Sequence, residues 1–290
     1  IPMFTPKGTL EAIERHRPTH VLLVPVMILM MMDSEKLKES DVSSVELIAY
    51  GASPITEAAL QKAFEEFPSA KFLQAFGQTK LSPVATILDT SHHSTEGLKS
   101  GKLGSCGRAT RVCEIRIVDE KDQDVQTGDI GHIIVRGPIT MLGYWNKPDV
   151  TAETIKDGWV YTGDASYMDE DGLIYLMDRL KDMIVSGGEN VYSTEVENAL
   201  ARHTAVATSA VLGIPHEKWG EVVHTIVILK PGNNVSEAAL KEHCHTLIAG
   251  YKCPQSISFR TEPFPLSGAN KVLKTDLRKP FWKGHDRMIS

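Results

Sequence analysis

The apolar positions change period several times along the chain, and each change marks a different kind of element. Leu10 and Ile13 fall at helical spacing. The apolar run from Val21 to Met32 contains Pro25, which divides a buried strand beginning at His20 from the start of a Met-rich helix. VELIAYGASPI, from Val45 to Ile55, reads as a buried strand entering a loop of small residues. Thr56 is placed to cap a helix whose apolar face carries Ala59, Leu60, Ala63, Phe64 and Phe67, with Pro68 as its stop. KFLQAFG, from Lys71 to Gly77, is a second buried strand. Strand, helix and strand at this spacing predict a βαβ unit in a parallel sheet.

From about Val84 to Leu176 the texture is different. CEIRIVDE alternates, with apolar residues at Cys113, Ile115 and Ile117, the period of a half-exposed strand. GHIIVRG, WVYTGD and GLIYLMD are further short strands between Gly and Asp turns, which predicts a β-rich subdomain or small barrel. After Asp182 the pattern is mixed again. Thr194-Glu195-Val196-Glu197 has the form of a capping box, with Val196 and Leu200 on the face of the helix it opens. ATSAVLGI, VVHTIVILK and SISFRTE read as strands, SEAALKEHCHTLI as a helix, and TDLRKPFW as the start of another. The expected fold class is α/β plus α+β. Residues 1–180 would be the end of a large domain (α/β over 1–83, β-rich over about 84–180), and residues 181–290 a small domain.

Composition agrees with two cores. The chain has 290 residues, 42% hydrophobic and 23% charged, an ordinary globular balance. A formal net charge of -6 argues against nucleic acid as the main partner. Cys106, Cys113, Cys244 and Cys253 form no CxxC pair, which reads as reduced thiols in a cytoplasmic protein. The Val21–Met32 run is too short for a transmembrane segment, and no signal-peptide pattern is visible.

Several segments carry candidate chemistry, each with a plainer alternative. The loop AFGQTK follows a buried strand, where open α/β sheets bind ligands; a turn around a buried Phe76 would look the same. YTGD, from Tyr161 to Asp164, places a carboxylate able to hold a ribose diol, or else a hairpin turn. His243 and His245 are two apart in a helical stretch and diverge, which opposes a shared metal. His92 and His93 lie in a polar loop and support no functional claim. Lys271 follows small residues and has the setting of a solvated loop lysine. DRLKDMIVSGGEN, from Asp178 to Asn190, joins mixed charges to two glycines at the domain boundary.

In order, YGASP, AFGQTK, GKLGSCGR, GYWNKPDVTAETIKDGWVYTGD, GLIYLMDRLKDMIVSGGENVYSTEVE, KWGE and ANKVLKTDLR resemble the adenylate-forming (AMP-binding) superfamily, in particular the acyl-CoA synthetases, over nearly the whole chain. The resemblance implies an acid–thiol ligase using ATP, Mg2+ and coenzyme A. A carboxylic acid, most similarly a medium- or long-chain fatty acid, would become an acyl-adenylate and then a thioester. Aryl or short thioether acids, carrier-protein or oxygen acceptors, and a non-catalytic nucleotide-binding relative remain alternatives, and a homodimer is compatible with the reading.

By the same resemblance, Gly51, Ala52 and Ser53 would line the adenine slot, with Phe76 stacking on the base beside Gly77. Thr79 would touch the α-phosphate, Asp164 and Arg179 would hold the ribose, and Lys271 would bridge carboxylate and phosphate. Lys181 would be the hinge of a domain rotation, and Gly187, Gly188 and Trp219 would lie on the CoA side. Two departures are visible. The family's phosphate loop is expected upstream of Ile1, so the chain reads as a C-terminal portion; and Lys80 stands where the family usually has a glutamate that helps ligate magnesium.

Overall fold

The computed structural model describes residues 3–53, 55–94, 96–97, 100–179, 182–266 and 272–283. It divides into two compact units, Ile1–Leu176 and Met177–Ser290.

In the first unit, helix α1 (Pro6–His16) opens on Thr5, whose hydroxyl accepts from Gly8 N at 3.1 Å. Strand β1 (His20–Leu23) ends before Pro25, which starts helix α2 (Pro25–Met32) from the position where its missing N–H costs nothing. Strand β2 (Leu47–Gly51), helix α3 (Glu57–Glu66) and strand β3 (Lys71–Phe76) complete the βαβ pattern. Thr56 caps α3, its hydroxyl accepting from Ala59 N at 3.3 Å. β1, β2 and β3 are parallel, with Gly51 opposite Ala75 at the carboxyl ends. Leu10, Ile28, Met31, Ile48, Tyr50, Leu60 and Phe72 fill the core between this sheet and its helices.

The sheet does not stop where the sequence texture changes. β4 (Thr86–Leu88) pairs antiparallel with β3, and β5 (Arg108–Ala109) with β4, so the order is β1-β2-β3-β4-β5. The expected β-rich segment from about 84 therefore begins inside the first sheet. Strands of three and two residues are too short to show a period.

A second sheet follows, in the order β10-β9-β7-β6: β6 (Glu114–Val118), β7 (Gly131–Arg136), β9 (Trp159–Met168) and β10 (Ile174–Arg179). Helix α4 (Pro148–Thr154) leads into β8 (Ile155–Lys156), which pairs with β9. Among the described residues this is an open path rather than a closed barrel. Ile133, Val135, Val160 and Ile174 pack with Leu81, Ala85 and Cys106 to form its core.

The second unit is α+β. β11 (Ile184–Ser186), β12 (Glu189–Val191), β13 (Val206–His216) and β14 (Gly220–Leu229) are antiparallel in the order β12-β11-β14-β13, and β15 (Ser256–Phe259) lies parallel on β14. Helices α5 (Ser193–Ala201), α6 (Glu237–His245) and α7 (Lys274–Arg278) accompany it. Val196 and Leu200 of α5 are buried with Val211, Val223, Val227 and Leu240.

The expected capping box at Thr194 is not formed. α5 begins at Ser193 after Tyr192, with no side-chain cap bond. Ser193 instead donates from both N and Oγ to Asp178 Oδ2, each at 2.6 Å. Glu197 is taken by the Lys274 ammonium at 2.8 Å and by Val211 N at 2.9 Å. Burial pushes the Glu197 carboxyl up, and Lys274 pulls it back.

Candidate active site

The carboxyl ends of β2 and β3 approach closely. A Cβ at Gly51 would lie 2.1 Å from the Ala75 carbonyl oxygen, so only glycine fits against the neighbouring strand there. Ala52 follows in the left-handed region at φ +70°, an uncommon conformation for a residue with a side chain. Ser53 is half-buried beside it. Ligand sites in open α/β sheets collect at these carboxyl ends.

Phe76 closes β3 and packs partly buried against the Leu81, Ala85 and Cys106 core. The next residues turn tightly, since a Cβ at Gly77 would meet Pro83 O at 1.8 Å. Thr79 opens a single 3-10 turn, Thr79–Leu81, whose Leu81 is buried. The turn is held from outside by Met141 N, which donates to Lys80 O at 2.9 Å.

YTGD is neither a hairpin turn nor a strand end; it lies within the ten-residue strand β9. The register against β7 steps from Ile134 opposite Tyr161 to His132 opposite Ala165, leaving Thr162, Gly163 and Asp164 to face Ile133 alone. That is a bulge, and Gly163 makes it at φ +79°. Its consequence is to turn Asp164 inward, where the residue is only 7% exposed.

The loop after β3 and the bulge are joined by side chains. Gln78 Nε2 donates to Asp164 Oδ2 at 2.7 Å and to Thr162 O at 3.2 Å. Lys80 Nζ donates to Tyr161 O at 2.8 Å and to Thr162 O at 3.2 Å. Thr162 Oγ donates to Ile133 O at 2.9 Å and accepts from Asp164 N at 3.1 Å. Gly51, Phe76, Gly77, Thr79 and Asp164, separated by up to 113 positions in the chain (164 − 51), are thereby carried by one hydrogen-bonded framework. Gln78, to which the sequence assigns no role, makes the most direct link to Asp164.

Cys106 lies under the site without being a nucleophile; burial pushes its thiol up to about 12. His93 is not a loop residue in solvent. Its Nε2 pairs with Tyr50 Oη at 2.9 Å, and burial lowers its pKa.

In the second unit Gly187 and Trp219 come together. Gly187 N donates to Trp219 O at 2.9 Å, and Ser186 pairs with Gly220. The Lys218 ammonium lies 4.6 Å from the Trp219 ring centroid, and Trp219 is 41% exposed. Gly188 follows at φ +88° with open space around it. Arg179 ends β10, its N–H bonded to Asp178 Oδ1 at 2.7 Å. Lys181 and Lys271 lie outside the described residues. His243 Nε2 bonds Ala199 O at 3.0 Å, and its ring meets His203 edge-on. Among the described residues no group of three or more His, Cys, Asp or Glu side chains could hold a metal ion, and no helix is long and apolar enough to cross a membrane.

A mixed α/β unit with its candidate site at the strand ends, followed by a small α+β unit, is the architecture of adenylate-forming enzymes. Residues 1–145 match the model of the AMP-binding enzyme family, and residues 195–271 that of the AMP-binding enzyme C-terminal domain. The chain belongs to the AMP-binding enzyme family. It is 38% identical to a medium/long-chain-fatty-acid–CoA ligase (FadD8) of Mycobacterium tuberculosis, covering 99% of this chain and 50% of the relative. It is 35% identical to a feruloyl-CoA synthase of an Amycolatopsis species, covering 96% and 55%. Among solved structures it matches the amide bond synthetase McbA from Marinactinospora thermotolerans with a TM-score of 0.88 and 32% identity, over 97% of this chain and 56% of that one. The chain thus spans about half the length of the curated relatives it matches.

Proposed function

We propose that the protein is an ATP-dependent acid–thiol ligase that activates a carboxylic acid as its adenylate and passes the acyl group to coenzyme A. The observation that carries this reading is Asp164: a buried carboxylate, turned inward by a bulge and tied through Gln78 to the loop that follows β3. A carboxylate so placed accepts two hydrogen bonds from a ribose diol. Gly51, Ala52 and Ser53 then offer backbone edges to the adenine, Phe76 its ring, and Thr79 its hydroxyl to the α-phosphate. Arg179 reinforces the ribose contact, and Lys271 neutralises the charge that builds as the acid attacks phosphorus. Lys181 serves as the hinge, and Gly187, Gly188 and Trp219 guide the thiol.

A fatty acid of medium or long chain is the preferred substrate, supported by the likeness to FadD8 and to the long-chain-fatty-acid–CoA ligase of Bacillus subtilis, at 34% identity. The feruloyl-CoA relative keeps an aryl acid as the alternative. Magnesium does not fit position 80. An ammonium has no lone pair to give, and this one is bonded to two carbonyls.

The test is equilibrium binding. Titration calorimetry of the purified chain with AMP and with a panel of acyl-sulfamoyl-adenosines should show saturable binding of AMP. Fatty-acyl analogues should bind about tenfold more tightly than the feruloyl one, a difference a few buried methylenes supply. Feruloyl preference would replace the fatty acid with the aryl acid. Absence of binding by every adenylate would overturn the function.

A further inference from the structure

The side chain at position 80 has a place in the framework that its charge alone does not suggest. Lys80 Nζ donates to the carbonyls of Tyr161 and Thr162, the residues three and two positions before Asp164. The Thr162 carbonyl also accepts from Gln78, which holds Asp164 Oδ2. At a bulge the strand ladder is interrupted, and backbone groups near it need partners from elsewhere. A charged donor makes such bonds shorter and stronger than a neutral one does.

We propose that Lys80 is a positioning residue, which pins the backbone on the N-terminal side of the bulge so that Asp164 is presented to a ribose diol. The inference rests on the ribose role of Asp164 proposed above. It gives position 80 a different task from the metal-binding one implied by the resemblance. A glutamate there would set a carboxylate against two carbonyl oxygens and lose both bonds. Restoring the usual family residue should therefore damage the site rather than repair it.

The experiment measures affinity for AMP and for 2′,3′-dideoxy-AMP by calorimetry in metal-free buffer. Comparing two ligands on one protein cancels general losses of stability. The unmodified chain should prefer AMP by at least about tenfold, the worth of a hydrogen bond to a charged group. Lys80→Met and Lys80→Glu should bring the two affinities within about threefold, while Lys80→Arg keeps the preference. Asp164→Asn combined with Lys80→Met should be no worse than Asp164→Asn alone, because the lysine acts through the aspartate. Lys80→Leu, which likewise has no donor, carries the same test if Lys80→Met does not fold. A preference for AMP that survives Lys80→Glu would overturn this inference and leave the function standing. Failure of the unmodified chain to bind AMP, or to distinguish it from the dideoxy form, would overturn the ribose reading and this inference with it.

Discussion

At Gly187 a Cβ would sit 2.6 Å from Trp219 Cε3, and the backbone is at φ +62°. Both the space and the conformation exclude a side chain. Gly187→Ala should cost about 1–2 kcal/mol from backbone strain alone, with a further shift of the Trp219 ring. Denaturant unfolding measures the first, and Trp219 emission, isolated by difference against Trp219→Phe, measures the second. Unchanged stability would contradict the strain, and unchanged emission would mean that the two residues do not meet. Other residues of the site are harder to foresee. Asp164 announced itself by the glycine before it, but the bulge that buries it depends on β7, which lies about thirty positions upstream. Gln78 gave no signal, and Lys80 stood out only as a departure from the family's usual glutamate, because their partners are a distant carboxylate and the carbonyls of Tyr161 and Thr162, which no local pattern encodes.

Elements with a strong period were legible and elements set by tertiary contacts were not. Pro25 divides β1 from α2, and Thr56 caps α3, because proline and capping act within one turn. The false capping box at Thr194 shows the opposite case: Glu197 has a better partner in Lys274, and Ser193 in Asp178. β14 and β15 carry a comparable long-range device. His224 Nδ1 meets Ser256 Oγ at 2.6 Å and Nε2 meets Ser258 Oγ at 3.1 Å, with Phe281 against the ring. Burial lowers its pKa below 6.5, opposed by the Glu237 carboxylate. Below 6.5 the unfolded chain takes up a proton that the folded one refuses, so stability is lost as pH falls through 6.5 toward the folded value. Scanning calorimetry should find that acidification from pH 7 to about 5.5 lowers the melting temperature of the second unit more than it does in His224→Asn. An equal decline in both proteins would remove His224 as the cause.

For the molecule as a whole, the alternation of strand and helix announced a parallel sheet, and the return of mixed pattern after Asp182 announced a second core. The division of the structure falls between Leu176 and Met177, within β10, where the periodicity of a single strand offers no sign of a boundary. The chain covers about half the length of its curated relatives, so the fairest trial of chemistry is the half-reaction that needs the least of a nucleotide. A preformed acyl-adenylate has no β- or γ-phosphate to be gripped. The purified chain, mixed with palmitoyl-adenylate and coenzyme A, should form palmitoyl-CoA and AMP faster than the buffer control, as read by mass spectrometry. Asp164→Asn should lower that rate by about tenfold or more. Thioester formation no faster than in buffer would contradict the proposal that this protein is an acid–thiol ligase.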